Sequence, residues 1–395
     1  MVPIYMTRLS FLLLISILSF SLPHSVHSAN IVPSPPQVAA KAYFLIDAVS
    51  GTVLAEYNAD IALPPASLTK MMTSYVLAGE ISSGRVSGDD MVVVSENAWS
   101  QNPVFNGSSL MWIEPGMDVS INDLKRGVII SSGNDATVAV AEHLAGNESA
   151  FADMMNGHAE SLGMTGTYYV NAHGLPHPDH LTTARDLATL AIALITRYPE
   201  EYAVYKEREF TYNNIRQYNR NTLLGEDPSV DGLKTGYTKE AGYGLVASAK
   251  RRDMRLVSVV LGTKSPNARK SESRSLLNYG FRFFETLSLF SPMEELEKPR
   301  IWKGQQDYLS VGVKDELVLT LPRGKKKKLA TVVEVNEEIS APIALGDKLG
   351  TVKLMLEGET VVETPLVALE AVEPGNFFAR LWDMVLMWIA RLFSS

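Results

Sequence analysis

The first two-thirds of the chain carries two kinds of apolar pattern. Near its start, two short runs rich in β-branched and aromatic residues lie on either side of Ser50-Gly51. They are Ala42-Tyr-Phe-Leu-Ile-Asp47 and Thr52-Val-Leu-Ala-Glu56. Such runs around a turn sequence predict a β-hairpin. Further on, apolar residues recur every three to four positions, which predicts helices beginning near Leu68, Ile121, Asp135, Ser149 and Thr183.

Strand patterns return in the later part of this region. Tyr243-Gly-Leu-Val-Ala-Ser-Ala249 and Met254-Arg-Leu-Val-Ser-Val-Val-Leu261 flank the basic turn Lys250-Arg-Arg-Asp253. A helix is predicted from about Asn267 to Thr286, and Thr183-Ala-Arg-Asp186 reads as a capping box that starts a helix over Leu187 to Thr196. Strands on both sides of a helical stretch predict one sheet with a helical insertion, which is the α+β class.

The residue pattern of the chain changes after Ser291-Pro292. Residues 300–372 are short segments rich in valine and leucine, separated by Gly and Pro, which predicts a small all-β domain. We assign no chemistry to this domain and expect it to act as a spacer. The predicted organisation is 1–29 signal peptide, 30–290 catalytic domain, 291–375 small all-β domain and 376–395 amphipathic helix.

Both ends of the chain suggest contact with a membrane. Arg8, the apolar run Phe11 to Phe20 and the small residues Ser28 and Ala29 are typical of a secretory signal, with an uncleaved anchor as the alternative. At the other end, Phe377 to Phe393 has helical apolar spacing and carries tryptophans, but its three charges disfavour a membrane span. We favour a helix that lies on the membrane surface over one packed on the protein's own core.

Composition limits the partners. The 395-residue chain has a net charge of −8, which argues against nucleic-acid binding, although Lys325 to Lys328 form a local basic run. The chain contains no cysteine, so export to an oxidising compartment would require no disulfide pairing.

Three short motifs carry the candidate chemistry: Ser67-Leu-Thr-Lys70, Ser132-Gly133-Asn134 and Lys234-Thr235-Gly236. They match the S-x-x-K, S-x-N and K-T-G set of the serine enzymes that penicillins acylate. Each motif alone has an ordinary structural explanation, as a helix cap, a turn or a strand end. Their joint order and separations, from position 67 to 132 and from 132 to 234, favour a common site.

The residue types fit nucleophilic catalysis. Ser67 is expected at a helix N-terminus, where free backbone N–H groups stabilise developing negative charge. Lys70 lies three residues later on the same face and can act as the base if burial and a second cation lower its pKa. Lys234 is the natural second cation.

The other two motifs provide groups that hold the substrate. Ser132 can pass a proton to the leaving amine, and the Asn134 amide can bind a substrate carbonyl. Lys234, Thr235 and Gly236 are expected at a strand edge, where a lysine, a hydroxyl and an uncovered backbone can bind an extended peptide ending in a carboxylate.

These motifs resemble those of the D-alanyl-D-alanine carboxypeptidases, the low-molecular-mass penicillin-binding proteins 5 and 6. The resemblance extends to the segments Gly127 to Asp135, Val230 to Gly236 and Gly280 to Thr286. The resemblance implies a β-lactamase/transpeptidase-like sheet flanked by helices. It also implies a cofactor-free and metal-free serine enzyme that removes the terminal D-alanine from peptidoglycan pentapeptide stems and is acylated by β-lactams. Such an enzyme would be peripheral on the periplasmic face of the bacterial inner membrane, after cleavage of its signal.

The resemblance also implies residue roles. Ser67 would be acylated and Lys70 would be the base, while Ser132 and Asn134 would serve proton transfer and positioning. Backbone N–H groups of Ser67 and Tyr237 would form the oxyanion hole. The terminal carboxylate would be held by Lys234 and Thr235, beside Gly236 and the additional arginines Arg220 and Arg269.

Three alternatives remain open. A class A β-lactamase uses the same serine and lysine, although here the second motif is S-G-N rather than S-D-N. A zinc peptidase could use His173, His177, Asp179 and His180, although Gly174, Pro176 and Pro178 make that stretch an irregular loop. A membrane-tethered protein that binds wall peptides without catalysis is the third.

Overall fold

The computed structural model describes residues 32 to 393, with side chains up to Ile389. The predicted signal peptide, residues 1–29, lies outside the described residues. The helices are α1 (Lys70–Ser82), α2 (Ile121–Arg126), α3 (Asn134–Ala145), α4 (Glu148–Ser161), α5 (Ala184–Arg197), α6 (Pro199–Tyr202), α7 (Leu223–Glu226), α8 (Pro266–Phe283) and α9 (Phe377–Phe393).

The strands divide between a catalytic region and a C-terminal β region. Those of the first are β1 (Ala42–Asp47), β2 (Val53–Tyr57), β3 (Met91–Val93), β4 (Asp118–Ser120), β5 (Glu209–Tyr212), β6 (Ile215–Tyr218), β7 (Val230–Thr238), β8 (Gly242–Arg251) and β9 (Met254–Thr263). Those of the second are β10 (Phe284–Phe290), β11 (Glu295–Glu297), β12 (Val311–Gly312), β13 (Leu317–Pro322), β14 (Leu329–Val335), β15 (Lys348–Leu356) and β16 (Glu359–Ala368).

A five-stranded antiparallel sheet organises the catalytic region, in the order β2-β1-β9-β8-β7. The hairpin β1–β2 and the pair β8–β9 occur where the sequence predicts them. Strand β1, from the start of the chain, pairs with β9 in a register that places Phe44 opposite Val259. Strand β7, which carries the third motif, lies at one edge of this sheet.

Helices cover both faces of the sheet. On one face, α1 to α5 pack through a large apolar core that includes Met71, Val140 and Leu187 together with Val257 from β9. On the other face, Leu276 and Leu277 of α8 pack against Leu245 and Leu256. The sheet is buried on both sides, so its central strands are almost entirely apolar. The α+β prediction, with helices inserted between the strands, is confirmed.

Two local predictions are wrong in detail. The helix expected to run to Thr286 ends at Phe283, and β10 begins at the next residue and pairs with β13. The capping box forms on one side only: Thr183 Oγ1 accepts a hydrogen bond from the Asp186 N–H at 3.0 Å. The Asp186 carboxylate instead accepts the N–H of Gly166 and the hydroxyl of Thr167, so it ties a neighbouring loop to α5.

The β region contains a two-stranded sheet, β10–β13, and a five-stranded sheet in the order β11-β12-β16-β15-β14. Its contact with the catalytic region is polar as well as apolar. The buried Asp47 carboxylate at the end of β1 accepts the hydroxyl hydrogens of Thr286 and Thr320 on this β10–β13 pair. Thr320 Oγ1 also lies 2.7 Å from Ser50 Oγ in the β1–β2 turn.

An arginine from the β13–β14 turn completes the end of α8. Arg323 Nη2 donates to the carbonyl oxygens of Phe281 and Phe284 at 2.7 and 2.9 Å, and its Nε donates to that of Arg282 at 3.2 Å. The last carbonyls of a helix have no partner within the helix, and a cation there is favourable.

Helix α9 keeps most of its aromatic residues in solvent. Phe378, Trp382 and Trp388 are 79%, 64% and 65% exposed, whereas Met387 is buried. Among the described residues, no helix is long and apolar enough to cross a bilayer.

Pro374-Gly375 just before α9 predicts a hinge from the sequence, and this prediction is wrong. The Gly375 N–H donates to the Lys303 carbonyl at 2.8 Å, and the Asp383 carboxylate accepts the Lys303 N–H at 2.5 Å. The helix is therefore in contact with the β region, because Lys303 bonds both Gly375, just before the helix, and Asp383, in its second turn.

Candidate active site

Ser67 lies in a tight turn at the front of α1. Residues Ala66–Thr69 form one 3₁₀ turn, and the α-helix begins at Lys70, so the serine precedes the helix by one short turn rather than standing at its first residue. The turn is closely packed: a Cβ at Gly174 would lie 1.9 Å from the Ala66 carbonyl oxygen, and one at Gly236 would lie 2.9 Å from that of Pro65. Only glycine fits at both positions, which lets two neighbouring segments hold the serine.

Lys70 is buried, and its ammonium nitrogen has three hydrogen-bond partners. Its Nζ lies 3.3 Å from Ser67 Oγ, 2.6 Å from Asn134 Oδ1 and 2.7 Å from the His173 carbonyl oxygen. Burial lowers the pKa of Lys70 to about 7; Arg220 adds to this shift, whereas Asp135 and Glu148 oppose it. A lysine with such a pKa is neutral in a large share of molecules near neutral pH and can accept a proton from the adjacent hydroxyl.

The second motif is a strained turn between two helical segments, as the sequence predicts. Ser132 has a φ of 61° in the left-handed region, directly after a π-helical turn. A Cβ on Gly133 would lie 2.8 Å from the Met111 backbone nitrogen, so only glycine fits there. Strain of this kind collects at functional sites, where the surrounding structure holds it in place.

Asp135 supports this turn from behind. Its buried carboxylate accepts the backbone N–H groups of Met111, Trp112, Ile113 and Ala136 at 2.8 to 3.3 Å. Asp135 belongs to none of the three motifs, because a contact between positions 111 and 135 leaves no local sequence signal.

Lys234 joins the second and third motifs. Its Nζ donates to Ser132 Oγ at 2.8 Å and to the Thr235 carbonyl oxygen at 3.4 Å. Burial lowers the pKa of Lys234 well below its usual value, and the charge of Lys70 adds to that shift. Lys70 and Lys234 repel each other and Arg220 also lowers the Lys70 pKa, so the role of Lys234 as the second cation beside Lys70 stays a prediction.

These groups line one cleft of about 330 Å³. Its walls hold Ser67, Ser132, Asn134, Thr235, Gly236, Tyr237, Arg220 and Arg269. Ten residues singled out from the sequence are therefore adjacent, eight on the walls and the lysines Lys70 and Lys234 buried behind Ser67 and Ser132.

One end of the cleft is positively charged. Arg269 Nη1 donates to the Gly236 carbonyl oxygen at 3.1 Å, and burial lowers the Arg269 pKa to about 10, with Arg220 adding to the shift. Three cations, Arg220, Arg269 and Lys234, repel one another here. An anion such as a carboxylate relieves that repulsion, so this end of the cleft is suited to bind one.

An aromatic pair stands beside these cations. The ring of Tyr237 stacks on that of Tyr243 at 4.1 Å, and the Arg269 guanidinium lies 5.6 Å from the Tyr243 centroid. Tyr237 itself is 52% exposed. Tyr237 was expected here for its backbone N–H, whereas Tyr243 was not expected, because it comes close only through the β7–β8 pairing.

The histidines of the metal-like stretch have structural bonds. His173 Nδ1 accepts the Leu175 N–H at 3.1 Å, and His180 Nδ1 accepts the Val170 N–H at 3.0 Å. Their Nε2 atoms lie 3.1 Å from Glu148 and 2.7 Å from Thr69 Oγ1. Burial, reinforced by neighbouring cationic groups, lowers the pKa values of His173 and His180 to about 3 and about 4. Both nitrogens of each ring therefore have partners within the fold, which leaves no lone pair for a zinc ion and removes the basis of the zinc-peptidase alternative.

Comparison with known proteins agrees with this site. The family model described as D-alanyl-D-alanine carboxypeptidase matches residues 29–265, and that of the penicillin-binding protein 5 C-terminal domain matches residues 284–374. The chain is 47% identical to D-alanyl-D-alanine carboxypeptidase DacC of Escherichia coli K12, over 91% of each chain. It is 44% identical to DacA of the same strain, over 92% of this chain and 91% of the relative.

Solved structures agree on the fold. The crystal structure of penicillin-binding protein 5 from Haemophilus influenzae superimposes with a TM-score of 0.83 at 40% identity, and the match covers 86% of this chain and 99% of that one. Both the catalytic and the β regions take part in the match. The chain belongs to the D-alanyl-D-alanine carboxypeptidases, the penicillin-binding serine peptidases of family S11.

Proposed function

We propose that Ser67 is the residue acylated by the penultimate D-alanine of a peptidoglycan stem peptide. The observation that carries this proposal is the buried Lys70, whose pKa is lowered to about 7 and whose Nζ lies 3.3 Å from Ser67 Oγ. Neutral Lys70 takes the hydroxyl proton as Oγ bonds to the carbonyl carbon. The peptide C–N bond then breaks, and the amine leaves as D-alanine.

The leaving amine needs a proton. Ser132 Oγ accepts a hydrogen bond from Lys234 Nζ and lines the cleft, so it is placed to pass that proton on. The terminal carboxylate occupies the end of the cleft formed by Thr235, Arg220 and Arg269, and the stem peptide extends along the edge of β7 beside Gly236. Water then hydrolyses the acyl-enzyme, which frees Ser67 for another cycle.

The backbone N–H groups of Ser67 and Tyr237 are assigned to the oxyanion hole. Both residues line the cleft, one from the turn before α1 and one from the edge strand β7. Donors aimed at the position of the developing oxyanion, rather than at the ground-state carbonyl, account for a large part of such rate enhancements.

The test compares D-alanine release from a peptide ending in D-Ala-D-Ala by wild type and by Ser67→Ala. We expect release by wild type and none by the variant, with loss of covalent labelling by a fluorescent penicillin. Ser108→Ala is a matched control, because this hydroxyl lines the same cleft but donates to the Phe105 carbonyl at 2.7 Å. Release that persists in Ser67→Ala would reject this nucleophile.

We also propose that residues 376–395 bind a membrane surface. Support comes from the exposed rings of Phe378, Trp382 and Trp388, which lie on a helix whose Asp383 and Met387 face the β region. Aromatic side chains of this kind favour the headgroup boundary. The protein would then act on the periplasmic face of the bacterial inner membrane, after cleavage of the signal over residues 1–29.

Co-sedimentation with lipid vesicles tests the membrane proposal. We expect the signal-free chain to sediment with vesicles and Trp382→Ser/Trp388→Ser to sediment much less, because the substitutions remove exposed apolar area and leave the Asp383 contact in place. Val361→Ser is a control for loss of an exposed apolar residue elsewhere. Equal sedimentation of the double variant would overturn the membrane role of this helix.

A further inference from the structure

One carboxylate outside the three motifs is in contact with the loop that bonds the candidate base. Glu148 is the first residue of α4, and its Oε1 accepts the Ala172 N–H at 3.0 Å. The same oxygen lies 3.1 Å from His173 Nε2. Because His173 Nδ1 accepts the Leu175 N–H, the ring proton is on Nε2, and His173 therefore donates to Glu148.

The loop that Glu148 holds, at Ala172 and His173, contacts Lys70 and its helix. The carbonyl oxygen of His173 accepts a hydrogen bond from Lys70 Nζ at 2.7 Å, and that of Ala172 accepts one from Thr73 Oγ1 at 2.6 Å. The next residue, Gly174, packs so closely on the Ser67 turn that a side chain would not fit. Two successive backbone units, both fixed by Glu148, therefore contact the helix that carries the base.

We propose that Glu148 is a positioning residue for the reaction at Ser67. It fixes the His173 carbonyl that orients Lys70 Nζ, and its negative charge favours the Lys70 ammonium electrostatically. The proposal rests on the proposed function of Lys70 as the base and adds a residue that no motif of the sequence includes.

The charges around Lys70 determine what loss of Glu148 would do. Asp135 and Glu148 favour the protonated lysine, whereas Arg220 disfavours it. Burial lowers the pKa values of Lys234, His173 and His180, and the charge of Lys70 lowers each of them further. The two histidines are therefore neutral around pH 7. Of the two carboxylates, Glu148 is the one that also bonds Ala172 and His173, in the loop that contacts Lys70.

The substitution Glu148→Gln separates charge from hydrogen bonding. The amide oxygen of Gln can still accept from Ala172 and His173, but the negative charge is gone. Loss of an opposite charge lowers the pKa of a lysine, so neutral Lys70 becomes available at lower pH. We expect the acidic limb of the acylation rate to move to lower pH, while the plateau at high pH stays near that of wild type.

Two further variants test the hydrogen bonds. Glu148→Ala leaves the Ala172 N–H and His173 Nε2–H without their acceptor, and we expect the plateau to fall about tenfold or more because Lys70 loses its fixed geometry. Glu148→Asp keeps the charge but is one methylene short. It should lower the plateau without moving the limb, and it serves if the alanine variant does not fold.

The measurement is the second-order rate constant for acylation by a fluorescent penicillin, from about pH 5 to about pH 9. Asp153→Asn on the exposed side of α4 is the matched control and should give the wild-type profile. A Glu148→Gln profile that superimposes on wild type would overturn the charge effect. An unchanged plateau in folded Glu148→Ala and Glu148→Asp would overturn the positioning effect. Wild type that is not acylated at all would instead reject the proposed function.

Discussion

At the scale of single residues, burial of charge is the property that distinguishes this site. Lys70 and Lys234 are both nearly inaccessible to solvent, and each has hydrogen-bond acceptors that replace part of its lost hydration. An ammonium group in such a place gives up its proton more readily than in water. Lys70 can therefore serve near neutral pH as the base proposed for Ser67, without any histidine in the pair.

The lowered Lys70 pKa predicts a pH profile. The acylation rate should rise with pH through about 7, because protonated Lys70 cannot accept the Ser67 proton and its pKa lies near that value. The measurement is fluorescent-penicillin acylation across this range. Lys70→Arg is the control, since arginine stays charged and should give no acylation at any of these pH values. A wild-type rate that is flat down to about pH 5 would contradict the assignment of Lys70 as the base.

The residues named from the sequence and those missed differ in a physical way. Ser67 and Lys70 are one helical turn apart, so local periodicity relates them. Glu148 and Asp135 act on backbone groups more than twenty positions away, at Ala172 and Met111. Such contacts depend on tertiary packing, which leaves no short-range pattern to read.

At the scale of elements, a helix end can also hold a neighbouring loop. Thr183 caps α5 through its hydroxyl, and Asp186 of the same turn fixes the Gly166–Thr167 loop instead of closing the capping box. One helix start therefore serves both the helix and a neighbouring loop.

Loss of this cap should have a measurable cost. Thr183→Ala removes the acceptor for the Asp186 N–H, and we expect the free energy of unfolding to fall by about 1 kcal/mol. Thermal unfolding gives the comparison. Thr183→Ser keeps the hydroxyl and should stay close to wild type. If alanine and serine give the same midpoint, the cap does not contribute.

Elements were predictable where the apolar pattern is local. The β1–β2 hairpin and the β8–β9 pair follow from their turns and alternation. The end of α8 was not predictable in this way, because Phe284-Glu-Thr-Leu-Ser-Leu-Phe290 follows the helix with no glycine or proline between them. Its strand conformation depends on pairing with β13, from which β11 and β12 separate it along the chain.

At the scale of the whole molecule, the catalytic and β regions share a buried polar network. Asp47 belongs to the central sheet, whereas Thr286 and Thr320 face it from β10 and β13. A buried carboxylate is costly unless hydrogen-bonded, so these hydroxyls favour a single orientation of the two regions.

Thr320→Val tests this network. The change keeps the shape but removes a donor to Asp47 and the contact with Ser50, and we expect a loss of about 2 kcal/mol in unfolding free energy. The acylation rate should not change, because the cleft is elsewhere. Thr331→Val on the exposed side of β14 is the matched control. A variant as stable as wild type would show that the network is not needed for stability.

The arginine at the end of α8 has a consequence for anyone who designs a shortened gene. A fragment that stops after the last helix of the catalytic region would lack Arg323, and the carbonyls of Phe281, Arg282 and Phe284 would lose their donor. A fragment that stops after β10 would carry a strand without its β13 partner, which is a template for aggregation. A fragment that keeps both contacts therefore extends past Gly324 and already contains the β10–β13 pair, with β11 and β12 between its two strands.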